Sequence, residues 1–428
     1  MKVAVIGSGI SGMSAAWFLS RENEVHLYEA DSRLGGHTAT IDVNTTDESL
    51  AIDTGFIVFN DWTYPNFIAL MNEIGVSSQP TNMSFSVSDR QSGLEYAGSG
   101  LDTLFAQRRN LVSPRFLRML WDIVRFNSKV EQDLVARPEL ASWTLGAYLH
   151  EYGYSPSFCT SYLIPMGAAI WSSGNAVMEE FPLEFFVRFF RNHGLLNIRN
   201  RPQWHVIRGG SRSYISPLTA PYKDGIRLGA PVQQVMRQQM HQGRMQVCVS
   251  SKGHHEFYDE VVFACHSDQA LRLLADPSPD EKTVLGAIPY TRNEVVLHRD
   301  TALLPASKKV WSSWNVLLNG KDTQLPVLTY NMNILQQLQS RHTWCVTLNS
   351  TDTIDPALIH GVYEYEHPLF TLDGINAQGR WHEINGVNNT WFCGAWWRYG
   401  FHEDGVWSAK RVADGLKLQN PMPMALAG

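Results

Sequence analysis

The chain has 428 residues, of which 44% are apolar and 18% charged, so it can hold roughly two or three domains with sizeable cores. Thirty-five Lys and Arg face 41 Asp and Glu, and the net charge of −6 gives no electrostatic support to a nucleic-acid or anionic-membrane role. The five cysteines (Cys159, Cys248, Cys265, Cys345 and Cys393) are odd in number, far apart and without CxxC spacing, which argues against a disulfide framework or a zinc site and for a reducing compartment.

An apolar strand, Val3 to Ile6, runs into Gly7-x-Gly9-x-x-Gly12, then a helical segment, a second strand ending in Glu29, and Arg33-x-Gly35-Gly36. That order describes a held dinucleotide. Gly7 turns sharply off the strand, Gly9 lets backbone approach a pyrophosphate, and Gly12 lets the helix lie close to the sheet. The helix N-terminus, with Ile10 and Ser11 in its first turn, offers free N–H groups and the positive end of its dipole to the phosphates. Glu29 is placed for ribose hydroxyls, and an acid there rather than Arg or Lys argues against a 2′-phosphate. The strand starts at Lys2 and no apolar run reaches membrane-spanning length, so the expectation is a cytoplasmic protein without signal peptide or transmembrane segment.

Residues 41–58 hold short extended pieces. From Leu101 to Leu196 apolar residues recur at three- and four-residue spacing. This predicts helices near 101–109, 114–135, 144–151, 155–170 and 183–193, broken up at Pro165, Gly167 and Pro182. Phe185, Phe186, Phe189 and Phe190 form a helical stripe that reads as core. Extended character returns near 205–207, ahead of Gly209-Gly210-Ser211, and again near 232–235 and 245–249. Residues 260–264 read as a buried strand leading into the helical DQALRLL, a second strand-to-helix unit. Another strand group follows near 294–298, 311–317, 327–330 and 344–348. A strand near 390–393 meets Gly394, an aromatic turn, and a last helix from about Gly405 to Leu416, after which the chain should fray. Glu403 and Asp404 are placed to cap that helix. Nucleotide signals at the start, middle and end imply two interleaved domains.

Together these residues resemble the FAD-dependent amine oxidases, phytoene-type desaturases and protoporphyrinogen oxidase, along nearly the whole chain. The most specific piece is Gly7 to Gly12 with Glu29-Ala30-x-x-Arg33-Leu34-Gly35-Gly36; the double glycine after the acid is a flavoprotein hallmark. Ile52-Asp53-Thr54-Gly55-Phe56 looks like the segment passing the flavin ring, and Gly209-Gly210-Ser211 like the motif before the second cofactor strand. Pro231-Val232 looks like the adenine clamp, and Gly394-Ala395 through Gly405-Val406 like the C-terminal flavin-binding turn and helix. The wording around Trp396 and Trp397 resembles a bacterial subgroup whose genes neighbour cyclopropane-fatty-acid-synthase-like methyltransferases, which implies a lipid link. Where the family carries Arg after the double glycine this chain has His37. Where amine oxidases place a Lys near flavin N5, the matching position is Asn293. No Cys stands at the turn used for covalent attachment, so the resemblance implies FAD held non-covalently.

The fold expected is α/β: a discontinuous Rossmann-like FAD domain (1–75, 203–285 and 386–420) interleaved with a substrate domain of mixed sheet plus helices. The latter spans 76–202 and 286–385, with its helical insert at 101–200, and 421–428 is a flexible tail. The activity expected is two-electron hydride oxidation of an apolar substrate, such as a lipid acyl chain. The alternatives are oxidation of an amine to an imine, and a non-catalytic lipid or prenyl carrier like the Rab GDP-dissociation inhibitors, which share this fold. Trp396, Tyr399 and Phe401 are the expected substrate wall. His402 could move a proton, though a structural histidine is the commoner role. Asn293 could hold water or substrate near the flavin, or be an ordinary polar strand residue. The partner is a small molecule or lipid, and peripheral membrane contact stays open.

Overall fold

A computed structural model describes residues 1–45, 48–239, 245–318 and 327–419. Two sheets organise it. The first is parallel, with five strands in the order Ile226–Arg227, Glu24–Tyr28, Lys2–Ile6, Glu260–Phe263 and Thr390–Phe392. Val3, Val5, Leu27, Val261 and Val262 are all fully buried, as the continuous apolar runs of a sheet covered on both faces require. The register pairs Ile6 with both Tyr28 and Phe263, and Phe263 with Phe392. The carboxyl ends of four strands therefore finish level. The turns that follow, at Gly7, Glu29, Ala264 and Gly394, share one crevice, where open α/β sheets place their ligands. Helix Ile10–Leu19 packs against the last helix, His402–Gln419.

The second sheet has seven strands in the order Ile359–Pro368, Tyr290–His298, Cys345–Leu348, Val327–Asn331, Trp314–Leu318, Phe85–Asp89 and Leu94–Ala97. All its neighbours are antiparallel except Trp314–Leu318 with Phe85–Asp89. Helices between residues 101 and 192 gather around Phe126, Tyr148, Phe158, Phe186 and Phe190. The longest, Pro114–Ala136, is started by Ser113, whose hydroxyl accepts the Phe116 N–H.

Three expectations change. Pro165 and Gly167 do not break their helix; they lie inside Ile164–Trp171, joined to Pro156–Phe158 through a π turn over Cys159–Leu163. The wider turn absorbs the missing proline N–H. The helix expected from Leu101 closes after Leu104, where Phe105 leaves helical geometry at φ −105° and ψ 34°, and Leu101 stays 77% exposed. At the other end the last helix neither starts at Gly405 nor stops at Leu416 but runs from His402 to Gln419, with Leu416 buried. The expected tail, 421–428, lies outside the described residues.

Candidate active site

The crevice opens into a cavity of about 640 Å³, walled at one end by the glycine turn and at the other by aromatic rings. At the glycine end, backbone does the building. Gly7 leaves its strand at φ +102°, and its N–H donates to the Tyr28 carbonyl at 2.8 Å. A Cβ on Gly12 would stand 1.8 Å from the Gly7 carbonyl oxygen, so only glycine lets the helix start this close. Gly9 precedes that helix and no side chain caps it. The first-turn N–H groups of Ile10 and Ser11, both in the wall, are thus left to an anion.

Glu29 and Ala30 also line the cavity. The Glu29 carboxylate is fixed by the Ser8 N–H at 2.9 Å and the Asp31 N–H at 2.8 Å, and by the Ser8 hydroxyl. Arg33 and Gly35 stand outside the wall. Arg33 donates to the carbonyls of Gly36 at 2.8 Å and Thr38 at 3.2 Å, and Gly35 donates to Ser8. They brace the loop that brings Gly36 and His37 to the cavity.

The His37 carbonyl accepts the Phe56 N–H at 2.8 Å, and a Cβ on Gly55 would meet that same carbonyl at 2.1 Å. Beneath lies Asp53, buried, which accepts from the Ser211 N–H at 2.9 Å, the Ser211 hydroxyl at 2.8 Å and the Thr40 hydroxyl at 2.6 Å. Burial pushes this carboxyl up to about 6 against those hydrogen bonds. Gly209-Gly210-Ser211 thus clamps the floor under Gly55 and Phe56. Val232 lines the cavity beside Pro231. Gly394 and Ala395 line it too, but the Gly394 N–H is taken by the Ser408 hydroxyl at 2.9 Å. Gly405 and Val406 sit behind the wall. A Cβ on Gly405 would press within 2.7 Å of the Ser11 hydroxyl, and Val406 is fully buried.

At the other end side chains do the building. Trp396, Tyr399, Phe401 and His402 all reach the wall. Trp396 stacks on Trp397 at 4.3 Å, and Trp397 turns away to Trp381. Tyr399 packs on Phe185 at 4.7 Å and Phe401 on Phe189 at 5.3 Å, so the phenylalanine stripe supports the wall from behind. His402 stacks on Phe56 at 3.6 Å, with Nε2 3.1 Å from the Tyr214 hydroxyl. Burial pushes its imidazole down to about 3, so it is neutral at pH 7.

Asn293 lies outside the wall, fully buried. Its Nδ2 donates to His367 Nδ1 at 3.0 Å and its Oδ1 accepts from Asn349 at 2.9 Å. This order places the His367 proton on Nε2. His367, in the wall, is pushed down to about 4 by burial. It stands 5.2 Å from His37. Burial, then the neighbouring histidines, hold His37 well below the usual imidazole range. Its Nε2 is buried without a hydrogen-bond partner among the described residues.

Glu403 and Asp404 do not cap their own helix. Glu403 accepts from the Phe67 N–H at 2.9 Å and the Asn66 side chain at 2.6 Å, capping Pro65–Glu73 instead. Asp404 accepts from the N–H groups of Tyr399 and Phe401, bracing the aromatic turn, and burial pushes it up to about 7. The motifs did not point to Trp171, His266, Tyr290, Trp314, Tyr330 or His367, which line the cavity from separate elements. The surplus of Phe, Trp and Tyr, 11% of the chain, was the only signal for the four aromatic ones, and the two histidines had none.

These residues fit a flavin dinucleotide. The uncapped helix start suits a pyrophosphate, the fixed Glu29 carboxylate a ribose, and the Gly55–Phe56 floor a flat ring. The wall's cysteine, Cys265, has its thiol pushed up to about 12 by burial, which disfavours the thiolate. In sequence, the family model for flavin containing amine oxidoreductases matches residues 10–299, more than half of the chain. No curated protein matches. In fold, the chain resembles cyclohexylamine oxidase from Brevibacterium oxydans IH-35A, at TM-score 0.70 and 16% identity over 98% of this chain and 99% of that one. It also resembles a putrescine oxidase solved with putrescine bound, at 0.68 and 14% over 98% and 99%. A third likeness is to a CLA-producing fatty acid isomerase from P. acnes, at 0.64 and 12% over 98% of each chain. No described helix is long and apolar enough to cross a membrane. The chain belongs to the flavin-containing amine oxidoreductase family and is an FAD-dependent oxidoreductase.

Proposed function

We propose that this enzyme takes two electrons, as hydride, from an apolar substrate, and that the substrate is a lipid acyl chain. The observation that carries this is the absence of a spare ionic anchor in the described cavity wall. Trp171, Trp314, Phe370, Trp396, Tyr399 and Phe401 stand in it beyond the nucleotide turn. The carboxylates in the wall are Glu29 and Glu366. The first stands at the nucleotide end, placed for a ribose, and Arg292 pairs with the second at 3.1 Å. An ammonium group entering beyond the nucleotide end would meet no unpaired carboxylate among the described wall residues, whereas an acyl chain needs none. His37, His367 and His402 are held neutral and add no charge of their own.

FAD, when bound, supplies the electron sink. The chain's own residues align the substrate between aromatic faces and keep water out, and these two effects carry the step. Asn293 fixes the His367 ring and its tautomer, a positioning role at the place where amine oxidases are expected to hold Lys. Among the fold neighbours, the fatty acid isomerase is in line with an acyl substrate.

The second reading, oxidation of an amine to an imine, is favoured by the two neighbours named as amine oxidases. Heating the flavin-loaded protein with fatty acids or with aliphatic amines separates the two. Acyl lipids should raise the melting temperature by a few degrees and amines should not. Stabilisation by amines alone would reverse the order of the readings.

A further inference from the structure

We propose that the outer face of residues 101–130 docks on an anionic lipid surface. These thirty residues are about a fourteenth of the chain, yet they hold six of the eighteen exposed large apolar side chains among the described residues: Leu101, Leu111, Val112, Leu117, Trp121 and Val124. Leu117, Trp121 and Val124 follow i, i+4, i+7 spacing on helix Pro114–Ala136 and so share one face, while Phe116, Met119, Phe126 and Val130 are buried on the other. A surface helix ordinarily turns polar residues outward. This one presents an indole 51% exposed, continued by Val112, 81% exposed, just before the helix begins.

Charge is segregated to the same place. Within 101–130, Arg108, Arg109, Arg115, Arg118, Arg125 and Lys129 face Asp102 and Asp122, a local balance of +4 in a chain of −6, which leaves −10 on the remainder. Arg118 and Arg125 lie over the Trp121 ring at 4.5 and 4.9 Å. Both also reach Asp122, whose side chain is fully buried at 3.2 and 3.4 Å from them, so the cations are held around the exposed indole. Apolar side chains that enter the headgroup boundary, beside the exposed Arg109, Arg115 and Lys129, which pair with no carboxylate among the described residues and can meet lipid phosphates, are what an interfacial surface needs. The positive balance selects an anionic lipid surface over a second copy of this chain, because two such faces repel. The proposal goes beyond the substrate reading and holds for an acyl or an amine substrate alike.

The test is co-sedimentation of the flavin-loaded protein with vesicles of phosphatidylcholine alone or with phosphatidylglycerol at one part in three. Partition onto the anionic vesicles is expected, falling at least about tenfold in Trp121→Glu and in Val112→Glu, and severalfold in high salt. Flavin absorbance reports that each variant is folded, and Trp121→Ala serves if Trp121→Glu is not. Phe257→Glu, an exposed apolar site elsewhere, should pellet like the parent. Absence of partition, equal partition of Trp121→Glu and parent, or a parent dimer that Trp121→Glu splits without any vesicle binding would each overturn the proposal.

Discussion

The two ends of the cavity are made in different ways. The nucleotide end is main chain: Gly7, Gly12 and Gly55 sit where any Cβ would press on a carbonyl, at 1.8 Å in the tightest case, and the anion site is an uncapped helix start. The aromatic end is side chain: Trp171, Trp314, Phe370 and the turn that carries Tyr399 and Phe401 reach in from separate parts of the chain, and Tyr399 and Phe401 are backed by further rings. Backbone geometry admits no adjustment, whereas a wall of rings can be resized one residue at a time. Cofactor and substrate should therefore respond to mutation independently.

The sharpest break is Gly12→Val. Its added carbon collides with the Gly7 carbonyl, so the variant should lose flavin entirely and more than about 4 kcal/mol of stability, as measured by flavin absorbance and denaturant melts. Retained yellow colour would mean that the helix start can shift.

The next effect falls on the aromatic end, through Asp404, which braces the aromatic turn. In the folded protein its carboxyl is raised from 3.8 to about 7 by burial, so between those values the native state holds a proton that the unfolded chain has lost. Stability is then lost as pH rises through that window and stays lost above it, by up to about 4 kcal/mol. Asp404→Asn should gain on the parent as pH rises from about 4 to about 7 and hold that gain above, and a pH-independent difference in melting temperature would contradict this.

Asn293→Leu should cost about 2 kcal/mol, because it leaves His367 Nδ1 and the Asn349 amide without their partner while flavin stays bound. The smallest expected change is Phe401→Leu, which keeps the wall apolar. It should move KM by about threefold with kcat and flavin content nearly unchanged, whereas flavin loss would show the two ends to be coupled.

The same contrast explains what the amino-acid order could reveal. Gly7, Gly9, Gly12, Glu29 and the Gly35–Gly36 pair are neighbours in sequence, and their spacing is their mechanism, so a strand, turn and helix were legible at once. Asn293 could be singled out, but its partners His367 and Asn349 lie 74 and 56 residues away and only the sheet register joins them. Glu403 looked like a cap for its own helix because capping is usually local, yet it caps Pro65–Glu73, 336 residues back from Glu403 to Phe67. The net charge of −6 hid the positive face of 101–130, since a sum carries no positions.

The central claim, that an apolar substrate meets a wall without a free counter-ion, is tested most directly by anaerobic mixing of the flavin-loaded enzyme with fatty acids, phospholipids and aliphatic amines in parallel, following flavin absorbance. The account predicts bleaching by an acyl lipid and none by amines. Rapid bleaching by an amine, with every acyl lipid inert, would contradict it.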